Sequence, residues 1–560
     1  MYQYFAYAAL TLVSVICVLS ILNKKGLFIF GKADNGNRYL QWLSEMAERF
    51  YVPILLTLFL IFMFSRLFRL YMIPAGIHMD ELGMAYDAKC LAEYGTDRHG
   101  IRYPVYLQAY GGGQSALYAY LAAICIKLFG YSVETIRYPA VFCGAICFFA
   151  AYFLAKELTD SKKWALLGPV FVMITPYFMT SERWALDCNL FLSLVTAAFY
   201  FYIKAIKSEK TRYYVIAGTV FGITLYTYVI SYLVLPLFLT ASTLYLIYIK
   251  RFDLKKTALL AVPLALLALP LLLMQMINMG ICPEFSTWIS DFRALPWYRA
   301  GEFSFGNIIK NLGYTKVFFV GGEWLTYNSL HEYGPLYLFS LPLLLYGFLI
   351  CIGDMYYSFK KREFSCSALI IFFLFFSWFV FMLIADLNMY KANEIFLPFI
   401  LLMIIAIKHI SEQKNLAVTV PVILLCFAIG FLSFANFYFR KQNDEYHMHP
   451  LFMSTQMGDM IVYAETLYDP GRDKHVYLES SKEDPNARDL IVGLYGNVAP
   501  SDWVQDGNVQ GRFYIHLPEI DAEEDAVYII SQEWSFVISY LIENGFQSDE
   551  SFPGYSILYR

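Results

Sequence analysis

The sequence predicts an all-α polytopic membrane domain of about twelve spans, with external interfacial helices and a small C-terminal α/β soluble domain behind it. Three observations predict it. Of the 560 residues, 58% are hydrophobic and only 16% charged, where a soluble domain holds about 45–50% and about 25%. The apolar residues gather into runs long enough to cross a bilayer, separated by basic turns. From about residue 440 onward charge returns and short β-type runs replace the long apolar ones. A formal net charge of −4 carries no nucleic-acid footprint. A soluble enzyme, a disordered scaffold and a disulfide-rich secreted module are excluded.

The spans fall near 3–22, 51–73, 137–156, 164–180, 189–206, 213–230, 232–249, 257–277, 335–353, 367–385, 394–408 and 416–434. The first lacks a basic leader and a small-residue cleavage site, so it reads as a retained span. Basic turns mark the cytoplasmic side: Lys24, Lys25, Lys32, Arg38 and Arg49 in the first, Lys162 and Lys163 next, then Lys207 and Arg212, Arg251 and Lys255, Lys360 and Arg362, and finally Lys408 with Lys414. They recur alternately, as a consistent threading requires. Residues 114–130 are apolar but short and contain Lys127. If they crossed, every later basic turn would move outside, so this segment reads as an interfacial helix on the outer surface.

This threading places 74–136, the 181–188 turn, the 278–334 loop, 386–393 and everything after 435 on the outer side. In the C-terminal stretch HVYLES, GRFYIHLPEI, AVYIIS and YSILYR read as strands, and PNARDLIVGLYG and SFVISYLIENGF as helices, a small α/β domain. The ten cysteines sit mostly in apolar runs, and none follows Cys426. Disulfides cannot staple that domain.

The polar residues that could carry chemistry lie on the outer side. Asp80 and Glu81 stand together in IHMDELGMAYDAK, just after the second expected span. They suit the acidic first turn of a helix or a general base. Asp187 in SERWALDCN gives a second outer carboxylate, beside Glu182 and Arg183. Two carboxylates from separate loops suit a base together with a metal or orienting group. The run Gly111-Gly112-Gly113 lacks the Lys-Ser/Thr sequel of a phosphate loop. It reads as a flexible joint, or else as a close backbone approach to a ligand. Glu302, Lys310, Lys316, Glu323, Trp324 and His331 populate the long outer loop without a motif, and His447 and His449 read as linker.

The run from DELGMAYDA through YGGGQSALYAYLAAICIKLFGYSVETIRYPAV to TPYFMTSERWALDCNLFLSL resembles the GT-C membrane glycosyltransferases. It is most similar to the family 39 group, which includes the protein O-mannosyltransferases and the bacterial aminoarabinose transferase. The resemblance covers roughly 50–250 by motif and the remainder by architecture. It implies an extra N-terminal span and cytoplasmic loop over 1–50, a transmembrane catalytic domain over 51–435, and an extracytoplasmic α/β domain over 436–560. The family acidic residue falls on Asp80, beside Glu81, and the second outer acid on Asp187. Asp80 would serve as base on an acceptor hydroxyl, or Asp80 and Asp187 would hold a divalent metal ion (Mg²⁺, Mn²⁺ or Zn²⁺).

A polyprenyl-phosphate leaving group needs cations. Arg183, Lys391 and Arg102 are the candidates in this chain, with Arg98 behind them. Tyr110, Gln114, Tyr226 and Tyr228 are candidates for contact with sugar or acceptor. The chain departs from its relatives where they carry an arginine soon after the acidic pair; here Leu82-Gly83 stands instead. The reading is an inverting glycosyltransferase, mannosyltransferase-like, moving a hexose or pentose from a polyprenyl-phosphate donor to a glycan, lipid or protein on the outer face of a bacterial cell membrane. A polytopic transporter or lipid flippase is the alternative, and a non-catalytic envelope scaffold the third.

Overall fold

The computed structural model describes residues 2–24, 38–110, 112–296, 303–322, 328–330, 332–413, 416–440, 452–453, 455–467, 475–479, 487–505, 507–517, 520 and 523–560. The chain divides into two compact units. One is Met1–Leu70 with Arg137–Leu273 and Arg299–Lys441; the other is Tyr71–Ile136 with Met274–Tyr298 and Gln442–Arg560.

The first unit is helical. Among the described residues of the chain, nine helices are long and apolar enough to cross a membrane: Tyr2–Asn23, Val133–Thr159, Asn189–Ser208, Ser231–Tyr248, Leu254–Asn278, Leu338–Lys361, Cys366–Leu383, Met389–Ser411 and Ala417–Arg440. This is a multi-pass membrane protein. Where helices touch, glycine lets backbones close in: a Cβ on Gly168 would stand 2.3 Å from the Ala151 carbonyl oxygen, the close approach that small residues permit between membrane helices.

Three of the expected spans are shorter or broken. The segment near 51–73 is helical only over Tyr51–Leu67, 17 residues, and Arg69 beyond it takes a left-handed φ of 51°. The segment near 164–180 splits into Lys162–Ala165, Leu167–Ile174 and Pro176–Ser181. Pro176 causes the second break: Thr175 before it is extended, φ −72° and ψ 129°, as a following proline demands. Near 213–230 the helix stops at Thr224. The Thr227 hydroxyl donates to the Thr224 carbonyl at 2.6 Å and that of Ser231 to Tyr228 at 2.6 Å, local bonds that compete with the helical ladder.

A helix over Arg38–Arg49 also stands where only an inner loop was expected. It is docked through Glu48, whose carboxylate accepts from the backbone nitrogens of Lys162 (3.2 Å) and Lys163 (2.9 Å) and from the Ser161 hydroxyl (3.1 Å). A carboxylate at a helix N-terminus meets donors that have no intrahelical partner.

The second unit combines helices and sheet. Helix Met79–Glu93 packs on helix Leu117–Phe129 and on helix Arg488–Tyr495. The 13 residues of Leu117–Phe129 rise about 20 Å, short of the hydrocarbon thickness of about 30 Å. A hairpin pairs Tyr106–Ala109 with Gly112–Ser115. The six-stranded sheet runs, edge to edge, Gln547–Asp549, Tyr555–Tyr559, Val527–Ser531, Val476–Leu478, Phe513–Tyr514, Val509–Gln510. Val476–Leu478 lies parallel to both of its neighbours, and Val527–Ser531 is buried along its whole length, as inner strands covered on both faces are. Helix Ser535–Glu543 adds Ile538 and Leu541 to a core with Tyr477, Tyr528, Ile530 and Leu558.

Candidate active site

The acidic pair opens helix Met79–Glu93. Strand Ile77–His78 pairs with Phe452–Met453, which holds His78 extended at φ −73°, ψ 151°, the backbone an N-cap needs. The His78 Nδ1 accepts from the Asp80 backbone nitrogen at 3.0 Å, and Glu81 Oε2 accepts from the His78 nitrogen at 3.3 Å. This is a reciprocal capping box with histidine in the place of serine or threonine. Its effect is to separate the two acids. Glu81 is fully buried in the cap, while 39% of the Asp80 side chain is exposed.

Asp80, Gly83 and Asp87 follow at helical spacing along one face. Against that face lies Arg98. Its Nε is 3.7 Å from Asp87 Oδ1, its backbone nitrogen donates to the same oxygen at 3.0 Å, and its Nη2 donates to the Gln108 carbonyl at 2.9 Å. A Cβ on Gly83 would come within 2.6 Å of Arg98 Nη1. Burial works against the Arg98 charge, but Asp87, with Tyr110, Asp97 and Asp489, more than offsets it and holds the guanidinium above its ordinary range. Burial likewise raises the Asp87 carboxyl, with Arg98 opposing. The turn that delivers Arg98 is built by Asp97, whose Oδ1 accepts from the nitrogens of His99 and Ile101, each at 2.9 Å. Trp503 closes the cluster, 5.7 Å from the Arg98 guanidinium and 5.1 Å from the His99 ring.

The other candidates of this unit surround the same helix start and the hairpin. The Tyr110 hydroxyl donates to the Met79 carbonyl at 2.7 Å. Gln114 is buried opposite Leu107. Arg102 donates to Thr287 at 2.9 Å and pairs with Asp291 at 3.1 Å. Gly112 and Gly113 lie in a strand, and a Cβ on Gly113 would overlap the Tyr106 ring and Leu295. The glycine there admits the chain's own side chains.

In the first unit Asp187 is almost buried, its Oδ1 accepting from the Cys188 nitrogen at 2.8 Å. Residues 182–188 form turns, not helix. Arg183 is fully buried and donates to the carbonyls of Ser65 (2.8 Å), Arg66 (2.6 Å) and Phe68 (2.8 Å). Arg137 donates to Leu70 at 2.8 Å, and Arg66 pairs with Glu182 at 2.7 Å. The Arg183 guanidinium satisfies carbonyls that the end of helix Tyr51–Leu67 leaves open. Lys391 is part-exposed and donates to the Asp386 carbonyl at 3.2 Å. The Tyr226 hydroxyl donates to Leu267 at 2.7 Å. Tyr228 is buried 6.5 Å from the Tyr390 ring and within electrostatic reach of Asp187 and Glu394.

Several of these residues escaped the sequence. Glu394 is completely buried, and no other described residue donates to either of its carboxylate oxygens; an acid at the mouth of a span is its only signal. Asp87, at helical spacing from Asp80, was legible in principle. Gly111, Glu302, Glu323, Trp324, His331, His447 and His449 lie outside the described residues. Among the described residues no group of three or more His, Cys, Asp or Glu side chains is placed to hold a metal ion.

Residues 114–276 match the family model described as dolichyl-phosphate-mannose-protein mannosyltransferase. That segment contains Arg183, Asp187, Tyr226 and Tyr228 and begins after Asp80. No curated protein matches the chain by sequence. Two solved structures of ArnT from Cupriavidus metallidurans are similar throughout. The apo form gives a TM-score of 0.52 at 10% identity, covering 93% of this chain and 98% of that one. The form bound to undecaprenyl phosphate gives 0.50 at 10%, covering 91% and 97%. The fold is that of these ArnT structures. In this chain the acidic pair that opens helix Met79–Glu93 is split by the capping box into one buried and one part-exposed carboxylate.

Proposed function

We propose that the protein is an inverting glycosyltransferase that moves one sugar from a polyprenyl-phosphate donor to an acceptor hydroxyl on the outer face of the membrane. The observation that carries this reading is Asp80: a part-exposed carboxylate in the first turn of a helix where the neighbouring acids, Glu81 and Asp87, are buried and engaged. The ArnT relative bound to undecaprenyl phosphate supports a lipid-phosphate donor, and the mannosyltransferase family match supports a hexose. Asp80 takes the proton of the acceptor hydroxyl as its oxygen bonds to the anomeric carbon. The bond from that carbon to the phosphate oxygen breaks, and its electron pair leaves with the lipid phosphate. A base so placed is worth about 10²–10⁴ in rate. Lys391 and Arg102, which keep exposure, are better situated to meet a phosphate than the buried Arg183. A hydrated divalent ion, needing only one or two carboxylates, would be held by Asp80 or Asp187.

A transporter or flippase reading is favoured by one observation: Glu394, an acid buried at the start of the span Met389–Ser411, as ionisable groups on transport paths are. The deciding experiment offers purified protein a panel of polyprenyl-phosphate sugars with a crude envelope acceptor, with and without divalent ion. Release of polyprenyl phosphate by wild type and not by Asp80→Asn supports the transferase. Release that is unchanged in Asp80→Asn overturns the site. No release from any donor moves weight to transport or to a scaffold.

A further inference from the structure

We propose that Arg98 is a positioning residue: wedged into the hollow at Gly83 and paired with Asp87, it fixes how helix Met79–Glu93 presents Asp80. This rests on the glycosyl-transfer reading above.

The hairpin strand Tyr106–Ala109 and the residue after it are tied to that helix at two points. Above, the Tyr110 hydroxyl holds the carbonyl of Met79, the residue just before Asp80, at 2.7 Å. Below, Arg98 bridges the Gln108 carbonyl at 2.9 Å to Asp87 at 3.7 Å. Between the two ties the guanidinium fills the space over Gly83, where even a methyl group would come within 2.6 Å of Nη1. Asp80 lies one turn up the same face. Any rotation or fraying of the first turn must therefore break a tie or drive the helix into the guanidinium.

The C-terminal residues lock this arrangement from behind. Trp503 packs against Arg98, the Tyr86 hydroxyl donates to Val498 at 2.8 Å, and Lys89 donates to Leu494 at 2.8 Å. Both members of the Asp87–Arg98 pair are buried. A buried ion pair seldom stabilises more than well-packed apolar residues of the same size, so its use here is geometric.

The test compares wild type with Gly83→Ala, Arg98→Gln and Arg98→Lys, each checked for monodisperse elution and cooperative unfolding. Gly83→Ala and Arg98→Gln are expected to lower kcat about 10- to 100-fold with the donor KM little changed; Arg98→Lys recovers part of the loss. A folded Arg98→Gln with wild-type kcat overturns the proposal, as does a loss that appears only in KM. A second arm needs no turnover. Asp80→Cys is made with Cys282→Ser and Cys366→Ser, which replace the two cysteines that are not buried. Its modification rate by a charged thiol reagent is expected to change when Arg98→Gln is added, and an unchanged rate overturns the proposal. If wild type transfers no sugar, the transfer reading fails alone and the labelling arm still decides the role of Arg98.

Discussion

Glu81 Oε2 accepts the His78 backbone N–H at 3.3 Å while His78 Nδ1 accepts that of Asp80 at 3.0 Å, so the two neighbouring acids have different work. Glu81 closes the helix start; Asp80 faces outward.

Substituting them should separate stability from activity. Asp80→Asn keeps the backbone N–H that the cap uses and should remove transfer without lowering the unfolding temperature. Glu81→Ala opens the cap and should lower stability by about 0.5–2 kcal/mol. Thermal unfolding in detergent and polyprenyl-phosphate release, measured on both variants, check this. A Glu81→Ala protein of unchanged stability contradicts the capping role.

Arg183 should behave as a structural residue. Arg183→Met strips donors from the carbonyls of Ser65, Arg66 and Phe68, and each buried polar group left unsatisfied costs about 1–3 kcal/mol. The unfolding temperature should fall clearly. Full stability combined with a raised donor KM would return Arg183 to the phosphate.

Lys391→Ala, by contrast, should leave stability nearly unchanged and raise the KM for the lipid donor. Arg102→Ala should cost about 0–1 kcal/mol, because its pair with Asp291 is part-exposed. A titration of transfer rate against donor concentration reads both. An unchanged KM in both variants rules out their service to the phosphate.

Two groups of the Arg98 turn give opposing pH dependences. Burial, then Asp87, pushes the Asp97 carboxyl up to about 7; burial, then Arg98, pushes His99 down to about 4. The unfolded Asp97 loses its proton near pH 3.9, so its contribution to stability is full below that and falls as pH rises to about 7. The unfolded His99 gains a proton below about 6.5, so its contribution is full above that and falls as pH drops to about 4. The two slopes oppose each other across one window. Asp97→Asn should unfold at higher temperature as pH rises through it, and His99→Gln at lower. Identical profiles in both variants contradict the assignment.

The sequence carried the helical membrane architecture and the C-terminal sheet because both are written in local periodicity: AVYIIS and YSILYR became the strands Val527–Ser531 and Tyr555–Tyr559. It marked Asp80 because two acids beside an apolar run are conspicuous. It hid the division of labour within the pair, since His78 is an unusual cap residue and its extended backbone comes from a strand near residue 452. Arg98 ranked low because nothing local reveals that a loop arginine fills the hollow at Gly83. Pro176 was in plain view, yet the apolar run around it outweighed the break it imposes. The glycine run read as a joint because the side chains that need the space, Tyr106 and Leu295, lie elsewhere in the chain.

The bond from Lys89 to the Leu494 carbonyl spans 405 residues. At about 5–20 residues per second of synthesis, the helix that carries Asp80 waits some tens of seconds for the segment that packs behind it. A chain that stops before residue 488 therefore has all nine described membrane-length helices made while the Asp80 helix lacks its packing against Arg488–Tyr495. The packing surface behind the Asp80 helix is thus among the last parts of the chain to be synthesised.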